Sequence, residues 1–502
     1  MNKMKSPVGI GNDQCLLPGH SSKVSTNACW FLAAGLSIFL GACGSRSDRA
    51  LAARSFVPQS TPTGAATVKL GETAIRATVV TTLRQPLTST QTVMASCWHR
   101  TRGVLVGNLP VSLSLNPKPE AAPGSVAFDR FLDRQGLPAR EWGQVKCLVD
   151  GPEFFGEFDR QLAAAQKSVD IQVYIFDNDD IGVRYARKLA EKSHRVPVSV
   201  MFDDLGSNTA MMSAPRTPAR PSFTPPNDMK QFLQQGSRVE VRRTLNPVLV
   251  ADHTKLLIFD DKTAILGGMN IGREYYSEWH DMMISVKGPV VGSLKEEFQS
   301  AWSKAGPWGD FSVFRPEQKI HRPKRSKGDV PVRILRTDAA GGRAEVLKAS
   351  MAAIHGSRKR VWIETPYFSS DQMVRAAQAA ARRGVDVRVI FPEKNDSNLM
   401  EDSNLATARE LILAGVKVYH YPGMTHLKAM ICDDWAMVGS ANLDILSMRL
   451  NRELNLAYSD RSSVGKLQDS VFLPDFKKSR RIKLKDTRSP TSRITELLAD
   501  QL

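Results

Sequence analysis

The chain has 502 residues, 42% hydrophobic and 24% charged, with Lys and Arg outnumbering Asp and Glu 68 to 51 for a net charge of +17. That length and balance fit two or three globular domains and exclude wholesale disorder, a collagen-like fibre and a small disulfide scaffold. The basic excess points to an acidic partner: nucleic acid, an anionic membrane or a phosphorylated substrate.

The first readable element is the 12-residue apolar run 31–42, preceded by Lys3, Lys5 and Lys23 and ending Leu40-Gly41-Ala42-Cys43. A membrane-spanning helix needs about 20 residues, so the run is too short to cross. It has the length and flanks of a signal-peptide core. The small residues before Cys43 resemble a bacterial lipobox, which implies cleavage after residue 42 and lipidation of the Cys43 thiol. Cleavage removes three lysines and Asp13, leaving +15. The expected location is the bacterial cell envelope, as a lipoprotein facing the periplasm. Gly44 after the cysteine gives a weak preference for the outer membrane. Of six cysteines, Cys97, Cys147 and Cys432 remain after cleavage and acylation. They lack metal-ligand spacing, and a Cys97–Cys147 disulfide is left open.

Residues 43–144 are rich in Ser, Thr, Pro and Ala and read as a tether and poorly patterned region. Alternation over 74–82 and 104–115 allows a few strands there. From 145 the texture changes to helices alternating with β-rich runs. In the first half the strand-like runs are 169–176, 196–202, 239–243, 255–259 and 282–286. In the second they are 360–367, 385–391, 416–421, 428–432 and 454–458. Helical patterns at 155–165 and 345–354 precede the first run of each half. The expectation is therefore an α/β fold of two duplicated domains, 145–320 and 329–502, with mixed sheets flanked by helices and a pseudo-twofold relation. A basic, Pro-containing linker at 321–328 separates them. The first half carries a five-proline insertion at 207–228, read either as a surface loop or as a cover over the substrate entrance. The basic cluster 477–485 reads either as a strand facing lipid headgroups or as a solvated tail.

Two segments share one pattern. His253-Thr254-Lys255 leads to Asp260 and then Gly267-Gly268-Met269-Asn270; His426-Leu427-Lys428 leads to Asp433 and then Gly439-Ser440-Ala441-Asn442. On a strand, residues i and i+2 share a face, so each His and Lys project together. Asp260 and Asp433 fall at the following turn as structural acids, although Asp434 beside Asp433 leaves the second assignment open. The glycines let the next strand approach closely and bring Asn270 and Asn442 beside the His and Lys. Asp281 and Glu453 stand at matched offsets, 28 and 27 residues after the histidines, and an acid on a ring nitrogen fixes the tautomer. Paired imidazoles, ammoniums and carboxamides suit attack on a phosphodiester. Lys255, Lys428, Asn270 and Asn442 would donate to its oxygens, one histidine would attack phosphorus, and the other would protonate the leaving oxygen.

These residues resemble the phospholipase D superfamily, whose signature is His-x-Lys-x4-Asp followed by a Gly-Gly/Ser-x-Asn stretch, usually in two copies. The likeness is nearest to bacterial cardiolipin synthases. It is supported by 173–177, Thr365-Pro366-Tyr367-Phe368, 287–291 with Phe298 and Trp302, and the end of the chain at 493–502. The resemblance implies a phosphatidyltransferase working through a phosphohistidine, with His253 as nucleophile and His426 as general acid/base. It also implies a phospholipid substrate, an anionic membrane surface as partner, no nucleic acid, no cofactor or metal, and a monomer whose halves pair. Synthase and hydrolase differ only in whether the acceptor is a lipid alcohol or water. The residues leave that open, and a nuclease of the same superfamily is the less favoured alternative. Gly268, where the superfamily commonly has Ser or Thr, is a departure.

Overall fold

The computed structural model describes residues 71–105, 121–210, 222–247, 250–314 and 320–487, together with 217 and 219. The signal segment, Cys43 and 493–502 lie outside the described residues, as do 211–216, 218, 220 and 221 of the 207–228 insertion.

The first half contributes β1 (Glu141–Val149), β2 (Val169–Val173), β3 (Val198–Asp203), β4 (Glu240–Thr244), β5 (Leu256–Phe259), β6 (Thr263–Gly267) and β7 (Met282–Lys287). The second contributes β8 (Val330–Asp338), β9 (Arg343–Ala344), β10 (Arg360–Glu364), β11 (Asp386–Pro392), β12 (Lys417–Tyr421), β13 (Ala429–Cys432), β14 (Trp435–Gly439), β15 (Glu453–Tyr458) and β16 (Arg480–Arg481). Outward from β1 the order is β7, β6, β5, β2, β3, β4. Outward from β8 it is β15, β14, β13, β10, β11, β12, with β16 added at the edge. The two halves thus repeat one strand order. They join where Glu141–Gly143 pair antiparallel with β8, while Gln144–Val149 of the same strand pair with β7. The fold is mixed α/β, as expected: β2, β3 and β4 are parallel to one another, whereas β5, β6 and β7 run antiparallel.

The motif strands are apolar on both faces because both faces are covered. In β5, Leu257 and Phe259 enter the core of the first half, while Leu256 and Ile258 enter a second core. In β13, Met430 and Cys432 face the core of the second half, while Ala429 and Ile431 enter that same second core. This shared core takes Met282 and Ile284 from one half and Leu454 and Leu456 from the other, so the two halves bury one apolar layer in common.

Several expectations are corrected. Residues 74–82 are helical, not extended, and a helix continues over Pro86–Leu105; the part of 104–115 beyond 105 lies outside the described residues. The region before 145 is more than a tether. The helix Val126–Arg134, capped by Ser125 accepting the Phe128 amide, inserts Phe128, Phe131 and Leu132 into the core of the second half. Phe128 meets Trp435 edge-on at 6.4 Å. Strand β1 also starts at 141, before the expected boundary. Cys147 and Cys432 are free thiols, so no Cys97–Cys147 disulfide forms.

Candidate active site

His253 and Lys255 precede β5, and His426 and Lys428 precede β13, on extended lead-ins rather than within the strands. Each lead-in hydrogen-bonds to the other half. The His253 amide donates to the Arg452 carbonyl at 2.9 Å, and Arg452 donates to Ala251 at 3.0 Å. The His426 amide donates to the His280 carbonyl at 2.7 Å, and His280 donates to Met424 at 3.0 Å. Arg452 and His280 each immediately precede an acid, so these backbone bonds cross the acids over. Glu453 Oε2 meets His253 Nδ1 at 3.0 Å, and Asp281 Oδ2 meets His426 Nδ1 at 2.7 Å. Each histidine is therefore oriented by the carboxylate of the opposite half. With Nδ1 engaged, Nε2 is the ring atom left for chemistry.

All six of these side chains are buried. Lys428 Nζ lies 2.8 and 2.9 Å from the two ring nitrogens of His426, and donates to the His426 carbonyl at 2.6 Å. Lys255 Nζ donates to the His253 carbonyl at 2.8 Å and lies 5.0 Å from the centre of the Tyr174 ring. Burial pushes the His253 imidazole below its ordinary value; Glu453 opposes this and Lys255 adds to it. Burial, then Lys428 and Lys255, holds His426 well down. Both rings are therefore biased toward the neutral form. Burial also depresses both lysines, Lys428 to about 8.

The acids differ. Burial raises Asp281 to about 7 against the pull of Lys428. Burial also works on Glu453, but His253, Lys255 and the Ser440 hydroxyl (2.6 Å) hold it net below the usual carboxylate value. Gly268 occupies the place that Ser440 fills in the second half. A Cβ there would lie 2.3 Å from Asp281 Oδ1. The missing side chain is thus the space that the shorter Asp281 occupies.

The structural acids also have matching employment. Asp260 Oδ1 accepts the amides of Gln166, Lys167 and Ser168 at 2.9, 2.6 and 3.1 Å. Asp433 accepts those of Arg358, Lys359 and Arg360 at 2.9, 2.8 and 3.0 Å. Each clamps the turn entering the strand beside it and has positive φ, which Asp tolerates. In this geometry Asp433, not Asp434, stands where Asp260 does.

The asparagines are placed differently from expectation. Asn270 accepts the Ile175 amide at 3.0 Å and donates to the Tyr275 hydroxyl at 2.8 Å, so its carboxamide is spent bracing the loop after β2. Asn442 Oδ1 is buried without a hydrogen-bond partner. Aromatic walls complete the site: Tyr174 lies 4.8 Å from His253, and Tyr275 and Trp279 lie 5.5 and 5.2 Å from His426. Tyr367 donates to Asp396 at 2.6 Å, and Asp396 in turn acts on Lys428.

Sequence reasoning missed the network behind His426. His280 Nδ1 meets Asp150 at 2.7 Å, its Nε2 meets Asp475 at 3.0 Å, and its ring stacks on Tyr421 at 4.7 Å. Burial opposes its charge, yet Asp150, Asp475 and Glu364 push His280 up to about 10. Its partners come from four separate elements, so no local spacing signals it. The one available hint was that His280 directly precedes Asp281.

A mixed sheet whose two halves repeat one strand order and present two His–Lys pairs, each histidine held by a carboxylate, defines a phosphodiester-processing site of the phospholipase D type. Residues 158–302 and 351–471 match the family described as "Cardiolipin synthase, PLD-like domain". The chain is 31% identical to cardiolipin synthase A of Pseudomonas syringae pv. syringae over 72% of this chain and 74% of that one. It is 30% identical to a probable cardiolipin synthase of Bacillus subtilis over 67% of each. Among solved structures, phosphatidylserine synthase of Haemophilus influenzae shares the fold, with TM-score 0.56 and 16% identity over 74% of this chain and 96% of that one. The chain belongs to the phospholipase D superfamily, in its cardiolipin synthase-like family, and is an enzyme of the phospholipase D type.

Proposed function

We propose that the protein is a membrane-anchored phosphatidyltransferase that takes the phosphatidyl group of phosphatidylglycerol, or a similar lipid, and passes it to an alcohol such as a second phosphatidylglycerol. The observation that carries this is the crossed pair of histidine–carboxylate contacts, which leaves two Nε2 atoms, one from each half, beside two buried ammoniums.

His253 is the nucleophile in this reading. Its Nε2 attacks phosphorus, and the developing imidazolium is stabilised by Glu453, the acid held in its ionised form. The bond from phosphorus to the leaving alcohol breaks, and His426 Nε2 gives its proton to that oxygen. A bound phosphodiester anion offsets Lys255 and Lys428, the cations that hold His426 neutral, and so lets His426 carry the proton it must donate. The incoming alcohol then loses its proton to His426, attacks phosphorus and frees His253. The two lysines balance the charge on the non-bridging oxygens in both steps. Asn442 remains a candidate donor. Asn270 acts by holding the loop that carries Tyr174.

Membrane attachment through a lipidated Cys43 rests on the 31–43 sequence. Among the described residues, no helix is long and apolar enough to cross a membrane. The test is incubation of purified protein with radiolabelled phosphatidylglycerol vesicles, with and without added alcohol. New cardiolipin supports the reading. Phosphatidate alone makes the enzyme a hydrolase, and DNA degradation without lipid turnover overturns the lipid assignment. Full activity in His253→Ala or His426→Ala would refute the site.

A further inference from the structure

A helix on a soluble domain ordinarily turns its apolar stripe inward. The helical segment 71–105 does the reverse. Its buried positions are Thr73, Ala77, Thr81, Gln85, Ser89, Thr92 and Ser96, which are small or polar. Its exposed positions follow the same helical spacing and include Ile75, Val79, Leu83, Leu87, Met94 and Trp98, with Leu83 76% and Met94 68% exposed. The segment bends at Gln85, between the short helix Thr81–Arg84 and the helix Pro86–Leu105, yet the apolar face continues across the bend.

A second element extends that face. The 3-10 turn Gly309–Phe314 docks on the segment: the Thr88 amide and hydroxyl both donate to Asp310, and Gln85 donates to the Lys304 carbonyl at 2.8 Å. The docking turns Asp310 inward and leaves Trp308, Phe311, Val313 and Phe314 exposed, Phe314 at 83%. Large apolar side chains thus face water on two adjoining elements, the pattern of an interaction surface.

Charge identifies the occupant. Between 73 and 119 the sequence has four arginines and one lysine and no carboxylate. Glu72, at the start of the segment, is paired with Arg76. An amphipathic segment that is apolar and basic, with its one acid paired, fits the interface of an anionic bilayer, and it is not apolar enough to span one. The surface also connects to the catalytic centre. Asn208 donates to Thr73 at 2.8 Å and Arg76 to Asp204 at 3.0 Å, both on the short helix Asp204–Ala210. Ser207 of that helix accepts the Phe176 amide and donates to the Tyr174 carbonyl, and the Tyr174 ring packs against His253.

We infer that residues 71–98 and 308–314 form an interfacial docking surface that lies on an anionic lipid bilayer, independently of any lipid anchor, and brings the His253 side of the site to the membrane. This rests on the phosphatidyltransferase reading above.

The test uses full-length Cys43→Ser protein, flotation with phosphatidylglycerol or phosphatidylcholine vesicles, and tryptophan quenching by lipids brominated on the acyl chain. The expected result is flotation with phosphatidylglycerol, weaker flotation with phosphatidylcholine, and quenching that shrinks in Trp98→Phe/Trp308→Phe. Leu87→Asp/Met94→Asp and, separately, Phe311→Ser/Phe314→Ser should weaken vesicle binding about tenfold or more. Turnover of short-chain, monomeric phosphatidylglycerol should stay at the parent rate in these variants, which also shows that they fold. Parent-like flotation of both variants, or a stable dimer that either variant dissociates, would overturn the inference. Absence of transfer from short-chain lipid by the parent protein would instead overturn the phosphatidyltransferase reading, with flotation still judging the surface.

Discussion

The crossing of the two acids makes a sharp prediction about Glu453→Gln. The substitution keeps the shape and removes the charge that faces His253 Nδ1 at 3.0 Å in a buried site. A hydrogen bond to a charged partner contributes about 1.5–3 kcal/mol net. An opposed unit charge at about 4 Å contributes on the order of 4 kcal/mol at an effective dielectric near 20. These overlap, so a loss of about 3–5 kcal/mol in stabilising a cationic His253 is expected. At about 1.4 kcal/mol per decade, that is roughly a 10²–10⁴-fold loss of rate. The informative readout is which step is lost. Quenched-flow with labelled phosphatidylglycerol measures formation of the acid-labile phosphoenzyme. A nitrophenyl phosphodiester, whose leaving group needs no proton, measures attack alone. Glu453→Gln should fail on both substrates, together with His253→Ala. Asp281→Asn should fail on the lipid but recover on the nitrophenyl ester, together with His426→Ala. If Glu453→Gln instead groups with His426→Ala, the acids serve the histidines of their own half and the crossed arrangement is wrong.

Further expectations follow from the same geometry. Gly268→Ser puts a Cβ where Asp281 lies, so activity should fall at least about tenfold with little change in thermal stability. Adding Asp281→Glu imports the Ser440–Glu453 arrangement and should restore part of it; a double variant no better than the single removes the steric argument. Asp433→Ala releases three backbone amides and should cost about 2–4 kcal/mol in denaturant unfolding. Asp434→Ala should cost well under half of that, and equal losses would make Asp434 the clamp. His280 is raised to about 10 in the fold from an ordinary value near 6.5. The folded state therefore holds its proton more tightly than the unfolded chain. Its stabilisation is full below pH 6.5 and is lost as pH climbs through 10. Melting temperatures measured from pH 6 to 10 should fall less steeply in His280→Gln than in the parent; parallel slopes would show that the network does not hold a charged imidazole.

Much of the fold was legible because its signals are local. Ten strands fall within a few residues of their apolar runs, since β-rich stretches such as Leu256–Phe259 read the same whichever partner covers them. Strands β1 and β8 were missed: they carry Gly143, Pro331 and charged residues, and their pairing across the seam depends on partners far away in the chain. The helix over 71–105 was misread for a related reason. Its Thr- and Val-rich face suggests strand by propensity, and its apolar stripe points away from the core that usually reveals a helix.

The sequence by itself determined the chemistry of the site. Two His–Lys–Asp–Asn sets in equivalent positions, with two acids at matched offsets, are readable because the duplication repeats them and because strand periodicity is a property of the backbone. Tertiary structure alone decided how those groups are joined. The offsets suit an acid serving its own half, or the other, equally well. Only the backbone bonds from His253 to Arg452 and from His426 to His280 bring each acid to the opposite histidine. Likewise, only tertiary contacts separate Glu453 from Asp281: burial raises both, but His253, Lys255 and the Ser440 hydroxyl bring Glu453 back below the usual carboxylate value, and these partners act through space and leave no mark on the order of residues along the chain.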